Sequence, residues 1–157
     1  MLTTKDLQAF IDMHRIAAEI VLPPFPTPTV PEAAEAMGVD PDAIIKSVLF
    51  IIRRTEPLLV IANGEGRIDQ RTIAGRFEVG KKQVRIATPE QVEHWTGYPA
   101  GGVPPFGHVR LLRTWIDPAV LEQGVVYGGG GDEQTLMRIQ TAGLVAATEG
   151  EVVPVCT

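Results

Sequence analysis

The chain is short of the residues that most catalytic chemistry needs. It has one cysteine, one serine and three histidines. A lone Cys156 excludes an intramolecular disulfide framework and any zinc site built from cysteines. In what reads as a mobile tail it is also a poor nucleophile. Ser47 has no G-x-S-x-G context, and no Walker motif is present. His14, His94 and His108 are far apart without ligand spacing, so no metal is expected, and nothing in the sequence calls for a cofactor. No apolar run approaches the length of a membrane span, and Met1 to Asp6 lacks the basic region and apolar core of a signal peptide. A cytosolic protein without a membrane partner is expected. Positive charge is scarce as well. Fourteen Lys and Arg stand against nineteen Asp and Glu, a net charge of −5, which argues against a protein that coats DNA.

What remains is 157 residues that are 45% hydrophobic, enough for one domain with a real core. The charge is uneven. Between Arg53 and Arg85 eight basic residues face four acidic ones. This is either a solvated helix face or a patch that grips a few phosphates.

In chain order, Thr3 or Thr4 caps a helix expected to run through residue 21 and to stop at Pro23-Pro24. The Pro-rich stretch from Leu22 to Val30 reads as a surface loop and a candidate pocket lip. Thr29-x-x-Glu32 has capping-box spacing for a helix ending at Gly38, and Asp40-Pro41 opens another turn. Ile44 to Ile52 reads as a central strand interrupted by Lys46, with Leu58 to Ala62 as its partner. Lys46 either snorkels to solvent or presents its ammonium to a cleft. Further helices are expected at Asp69 to Phe77, Thr88 to Trp95 and Thr141 to Thr148. Further strands are expected at Val84 to Ile86, Val109 to Ile116, Val125 to Tyr127, Thr135 to Ile139 and Val152 to Val155. Short strands interleaved with short helices predict an α+β domain.

The densest signal lies at Thr96 to Gly107, with four glycines and three prolines in twelve residues. Gly101, Gly102 and Val103 offer bare amides that can hold an anion or a developing oxyanion, unless the stretch is only a tight turn. Gly128 to Gly131 is a second glycine run, either a flexible hairpin tip or a place where a ligand approaches the backbone closely.

Three blocks, Glu32 to Pro41, Ile45-Lys46-Ser47-Val48-Leu49 and Thr96-Gly97-Tyr98 with Gly101 to Gly107, together with Tyr127 and its glycines, resemble the YbaK/ProX family over roughly residues 20 to 155. These are free-standing relatives of the editing domain of bacterial prolyl-tRNA synthetases. The resemblance implies a single α+β domain over 1–157 with a mixed barrel-like β-sheet surrounded by short helices, the N-terminal helix at 1–21 packed on it. It implies a trans-acting deacylase that hydrolyses the ester of a mischarged tRNA, with tRNA(Pro) carrying a small amino acid such as Ala or Cys as the expected substrate. The acceptor end of the tRNA is the implied partner, together with prolyl-tRNA synthetase.

By the same resemblance, Lys46 falls on the lysine that holds substrate and is needed for activity, and Gly101 and Gly102 on the loop whose backbone meets the ester; with Val103, whose amide follows them, these are the expected catalytic residues. Gly129 and Gly130 fall on a second glycine pair near the substrate. Phe25, Thr29, Tyr98, Pro104 and Phe106 complete the expected binding residues. Three departures bear on which amino acid is accepted. Pro23 to Pro28 stand where the family often has His-Asp, Pro104 replaces a serine, and Leu136-Met137 occupy the neighbourhood of an acidic residue. A non-catalytic module that binds the tRNA end or the synthetase is the alternative on the same fold. A protein holding nucleotide phosphate in its glycine loops is a third reading.

Overall fold

The computed structural model describes residues 1–157. Helix α1 covers Thr4–Met13 and is closed at its start by a capping box between Thr3 and Asp6. It ends eight residues before the expected stop. Arg15 takes a left-handed φ of 52°, its N–H donates to Asp12 O, and Ile16 N–H donates to Ile11 O. This is a Schellman closure with arginine in the place usually held by glycine. Ala18–Val21, expected as helix, is strand β1, because Leu136 to Ile139 lie beside it as an antiparallel partner.

Helix α2 covers Val30–Met37 between Thr29 and a left-handed Gly38, and a 3-10 turn follows at Pro41–Ala43. Strands β2 (Ile45–Ile52) and β3 (Glu56–Asn63) form a long hairpin. Helix α3 (Gln70–Phe77) is capped by Asp69, and a 3-10 turn at Lys81–Gln83 leads into β4 (Val84–Ile86). Helix α4 (Pro89–Thr96) opens with the Thr88/Gln91 capping box and closes on Gly97. Strand β5 is only Arg113–Ile116. The preceding residues 109–112, expected as strand, run without a ladder partner, and Leu111 is 98% exposed. A 3-10 turn at Pro118–Glu122 precedes the hairpin of β6 (Val125–Gly129) and β7 (Leu136–Gln140). Helix α5 (Thr141–Thr148) and a two-residue β8 (Glu151–Val152) complete the chain.

These strands form two sheets, β1-β7-β6 and β4-β2-β3-β5-β8, the second mixed because β5 runs parallel to β3 and β8. They touch through one parallel bridge, Ile44 to Tyr127. The sheets do not close, so the expected barrel is an α+β pair of open sheets. The pleat of β2 and β3 divides the core. Leu49, Ile51, Leu59 and Ile61 join Val126, Met137, Ile139 and Leu7 in one cluster. Phe50, Ile52, Leu58 and Val60 join Ile73, Phe77 and Trp115 in another. Each fully buried Leu or Ile contributes about 1.5–3 kcal/mol. No helix is long and apolar enough to cross a membrane.

Candidate functional site

A cavity of about 190 Å³ opens where the start of β2 meets α2 and the two glycine loops. Thr27, Pro28, Thr29, Val30 and Ala33 wall one side, and Ile45, Lys46 and Ser47 another. Ala100, Gly101, Val103, Gly128, Gly129 and Leu136 close it. Of the sequence-predicted residues, it therefore gathers Lys46, Gly101, Val103, Thr29 and Gly129.

The loop supplies donors selectively. The Gly102 N–H donates to Pro99 O at 2.9 Å and so is spent on a turn, whereas the Gly101 and Val103 amides donate to no protein acceptor. Pro104, next in line, has no N–H to compete. Thr29 contributes its position more than its hydroxyl, which donates to Glu32 Oε1 at 2.9 Å within the α2 cap.

Lys46 stands at the edge of the cavity. By the alternation of β2 it shares the face of Val48, Phe50 and Ile52, while Ser47 shares the face of Ile45 and Leu49, on which the glycine loops lie. Its Nζ donates to Gly66 O at 2.7 Å. The same ammonium acts on Cys156, whose thiol is nonetheless pushed up to about 11 by burial first and then by the Asp117 carboxylate. The tail expected to be mobile is tied down. Asp117 Oδ1 accepts the Val155 and Cys156 N–H groups at 2.9 and 3.2 Å, and Cys156 forms a bridge with Ile68.

Several expected site residues lie elsewhere. Tyr98 is fully buried in the first core, and its hydroxyl has no partner. Pro104 is buried, its carbonyl 2.7 Å from His108 Nε2, and burial lowers the His108 pKa against the opposing effect of that hydrogen bond. Phe106 packs beside Phe10 with ring centroids 5.8 Å apart. It lines a different, larger cavity of about 540 Å³ between the end of α1, residues 105–112 and α5. That larger space holds neither Lys46 nor the free amides, so the smaller one is the better site. Phe25 is 39% exposed and lines neither cavity.

Gly102 and Gly130 serve packing. A Cβ on Gly102 would sit 2.5 Å from Asp132 Cα, and one on Gly130 2.6 Å from Thr135 Oγ1. Gly129 lines the cavity but is also pressed against the Val103 carbonyl.

Two polar residues at or beside the cavity escaped the sequence reading. Ser47 lines the cavity and its hydroxyl makes no protein hydrogen bond. Glu133, exposed, lays its carboxylate over Gly101, with Oε1 2.8 Å from the place a Cβ would take. Glu133 lies three positions before Leu136, and it is not among the residues that line the cavity. The apolar alternation of β2 concealed Ser47, and only the approach of the two loops places Glu133.

A model of the aminoacyl-tRNA editing domain matches residues 25–147. The proline–tRNA ligase of Nitratidesulfovibrio vulgaris (strain DP4) is 32% identical over 103 residues, which are 64% of this chain and only 17% of the ligase. EbsC of Enterococcus faecalis, named as a candidate Cys-tRNA(Pro)/Cys-tRNA(Cys) deacylase, is 21% identical over 124 residues, 79% of this chain and 74% of that protein. A crystal structure of a candidate trans-editing enzyme for prolyl tRNA synthetase superposes with a TM-score of 0.87 at 29% identity, covering 98% of this chain and 96% of the other.

Proposed function

The chain belongs to the aminoacyl-tRNA editing domain family, and from that premise we propose that it is a trans-acting deacylase that hydrolyses the ester of a mischarged tRNA. The expected substrate is tRNA(Pro) carrying a small amino acid such as Ala or Cys, presented by its acceptor end, with prolyl-tRNA synthetase as the source of the mistake. One observation carries this reading: Lys46 and two residues whose amides have no partner, Gly101 and Val103, line one small cavity. About 190 Å³ lies below the roughly 300–1,000 Å³ of sites that bury a drug-sized ligand. It suits an acyl group better than a whole nucleotide, which weakens the reading of the glycine loops as a nucleotide-phosphate site.

In the proposed reaction the acyl group enters the cavity with its carbonyl oxygen toward the Gly101 and Val103 N–H groups. Water adds to the carbonyl carbon, and the two amides stabilise the oxyanion as it forms. Such preorganised donors are worth about 10²–10³ in rate each. Collapse breaks the bond to the ribose oxygen, which takes up a proton. The products are a free amino acid and an intact 3′-terminal hydroxyl. Lys46 positions the substrate from the rim once its ammonium leaves Gly66 O. Glu133, above Gly101, is placed to receive the α-ammonium of the amino acid.

A second reading, a non-catalytic module that binds the tRNA end, is favoured by the Lys46 to Gly66 hydrogen bond, because the ammonium must exchange that carbonyl for the substrate. Deacylation of Ala-, Cys- and Ser-tRNA(Pro) by the native protein and by Lys46→Ala separates the two. Release of one amino acid, lost in the variant, supports the enzyme. Retained tRNA binding with no release of any amino acid rejects it.

A further inference from the structure

The hairpin between β2 and β3 turns on Arg53 and Arg54, at the opposite end of β2 from the cavity. Thr55 N–H donates to Ile52 O at 3.1 Å, and the two arginines have φ of 51° and 69°. This is a type I′ turn, in which both central residues are left-handed and Asn-Gly is the preferred pair. A left-handed conformation costs a residue with a Cβ about 1–2 kcal/mol. Two arginines hold these positions all the same.

Arg76 near the end of α3, Lys81 and Lys82 in the adjoining 3-10 turn and Arg85 on edge strand β4 complete a group of six exposed cations. The fold gathers them explicitly. Arg53 Nη2 donates to Phe77 O at 2.9 Å, Arg53 N–H donates to Gln83 O at 2.9 Å, and Arg85 is the ladder partner of Ile51. Glu78 is the one carboxylate within these segments that has no ion pair, since Glu56 is paired with Arg113. None of the six cations forms a salt bridge. In a protein of net charge −5 this is a concentrated positive tip.

We propose that this tip holds backbone phosphates of the paired acceptor stem of the same tRNA whose 3′ end enters the cavity, an inference that rests on the deacylase reading. The spacing supports it. Ser47, at the cavity, and Arg54 are seven residues apart on an extended hairpin, about 23 Å at about 3.3 Å per residue. The 3′ end of a tRNA is unpaired, so an ester in the cavity leaves the first paired phosphates a comparable distance away. An A-form stem is held through its phosphates and its shape rather than its base edges. Flexible lysines and forked arginines without an aromatic platform match that chemistry.

The test uses uncharged tRNA(Pro), a single-stranded oligonucleotide ending in CCA, and the variant Arg54→Ala/Lys82→Ala/Arg85→Ala. Removing three phosphate contacts lowers the slope of log affinity against log salt by about 2–3 and weakens tRNA binding about tenfold or more near 0.1 M salt. Affinity for the oligonucleotide stays unchanged. With charged tRNA, KM rises while kcat holds. Arg54→Gly alone relieves the turn, and it is expected to raise the thermal midpoint while weakening tRNA binding. An unchanged salt slope overturns the proposal, as does equal weakening toward the oligonucleotide or native protein that binds no tRNA. Uncharged tRNA needs no hydrolysis. A native protein that binds it with the expected slope but releases no amino acid therefore sinks the deacylase reading and leaves the stem contact standing.

Discussion

In residues 100–103, Gly101 is exposed and its amide, like that of Val103, has no partner, whereas in residues 128–131 every glycine is filled from outside. Gly128 lies against the Ile45 side chain, Gly129 against the Val103 carbonyl, Gly130 against Thr135 and Gly131 against the Thr4 backbone. The Gly131 N–H donates to Gly102 O at 2.9 Å, so the second loop also braces the first. Two runs that look alike as letters therefore do different work. One leaves donors free, and the other lets two stretches of backbone approach closely enough to fix where those donors stand.

Substitution by alanine breaks this comparison most sharply. A Cβ on Gly102 or Gly129 would meet backbone that cannot turn aside. Gly102→Ala and Gly129→Ala are expected to lose about 3 kcal/mol each, at the upper end of overpacking costs. At about 2–4 °C per kcal/mol for a chain of this size, the thermal midpoint falls by about 10 °C.

Gly101→Ala is the counterpart. The atoms nearest its Cβ would all belong to the Glu133 side chain, from 2.8 Å, and that flexible, exposed group can move aside. Stability should stay within about 0.5 kcal/mol. Deacylation should nonetheless fall, by as much as about 10², because the loop that positions the ester is disturbed at the reacting centre. A Gly101→Ala protein that unfolds like Gly129→Ala would erase the distinction between the loops.

The brace itself is held by Asp132. Its carboxylate accepts Gln134 N–H at 2.8 Å and the Thr135 hydroxyl at 2.9 Å, and the Thr4 hydroxyl lies at 3.3 Å. Burial alone would raise its pKa, but these hydrogen bonds outweigh it and hold the group below its ordinary 3.8. A carboxyl depressed in the folded state adds stability above its unfolded pKa and loses it as pH falls through the folded value. Native protein should therefore lose urea resistance below about pH 4, and Asp132→Asn should show a flatter acid limb and lower stability at neutral pH. Identical acid limbs would separate the loop from this carboxylate.

Local signals were readable in advance because their causes are local. Thr29, Asp69 and Thr88 cap the elements expected of them, and Gly38 and Gly97 end theirs in left-handed conformations. The helix expected to reach Val21 fails because Ala18 to Val21 answer to a strand more than a hundred residues away. Helical periodicity cannot register such a partner. The same limit hid the approach of Glu133 to Gly101. It also hid which face of β2 Lys46 takes, since that depends on what packs on each side of the sheet. The lysine and the donor loop could be named from residue type alone, whereas the fate of each glycine depends on its neighbours in space.

Tyr98 offers the smallest effect and tests the boundary between site and core. It sits beside the donor loop in sequence, yet it is fully buried and its hydroxyl is unpaired. Burial first, and Asp6 second, push its pKa up to about 12 from 10.0. An acid raised in the folded state contributes stability below its unfolded pKa and loses it as pH rises, here between about pH 10 and 12. Tyr98→Phe removes a buried polar group without a partner, so it should leave stability at neutral pH unchanged or raise it by about 1 kcal/mol. It should also soften the alkaline loss of stability above pH 10 and leave deacylation rates as they were. A large fall in kcat with unchanged stability would move Tyr98 from the core back to the site, because a side chain that only fills space cannot alter the reaction without altering the fold.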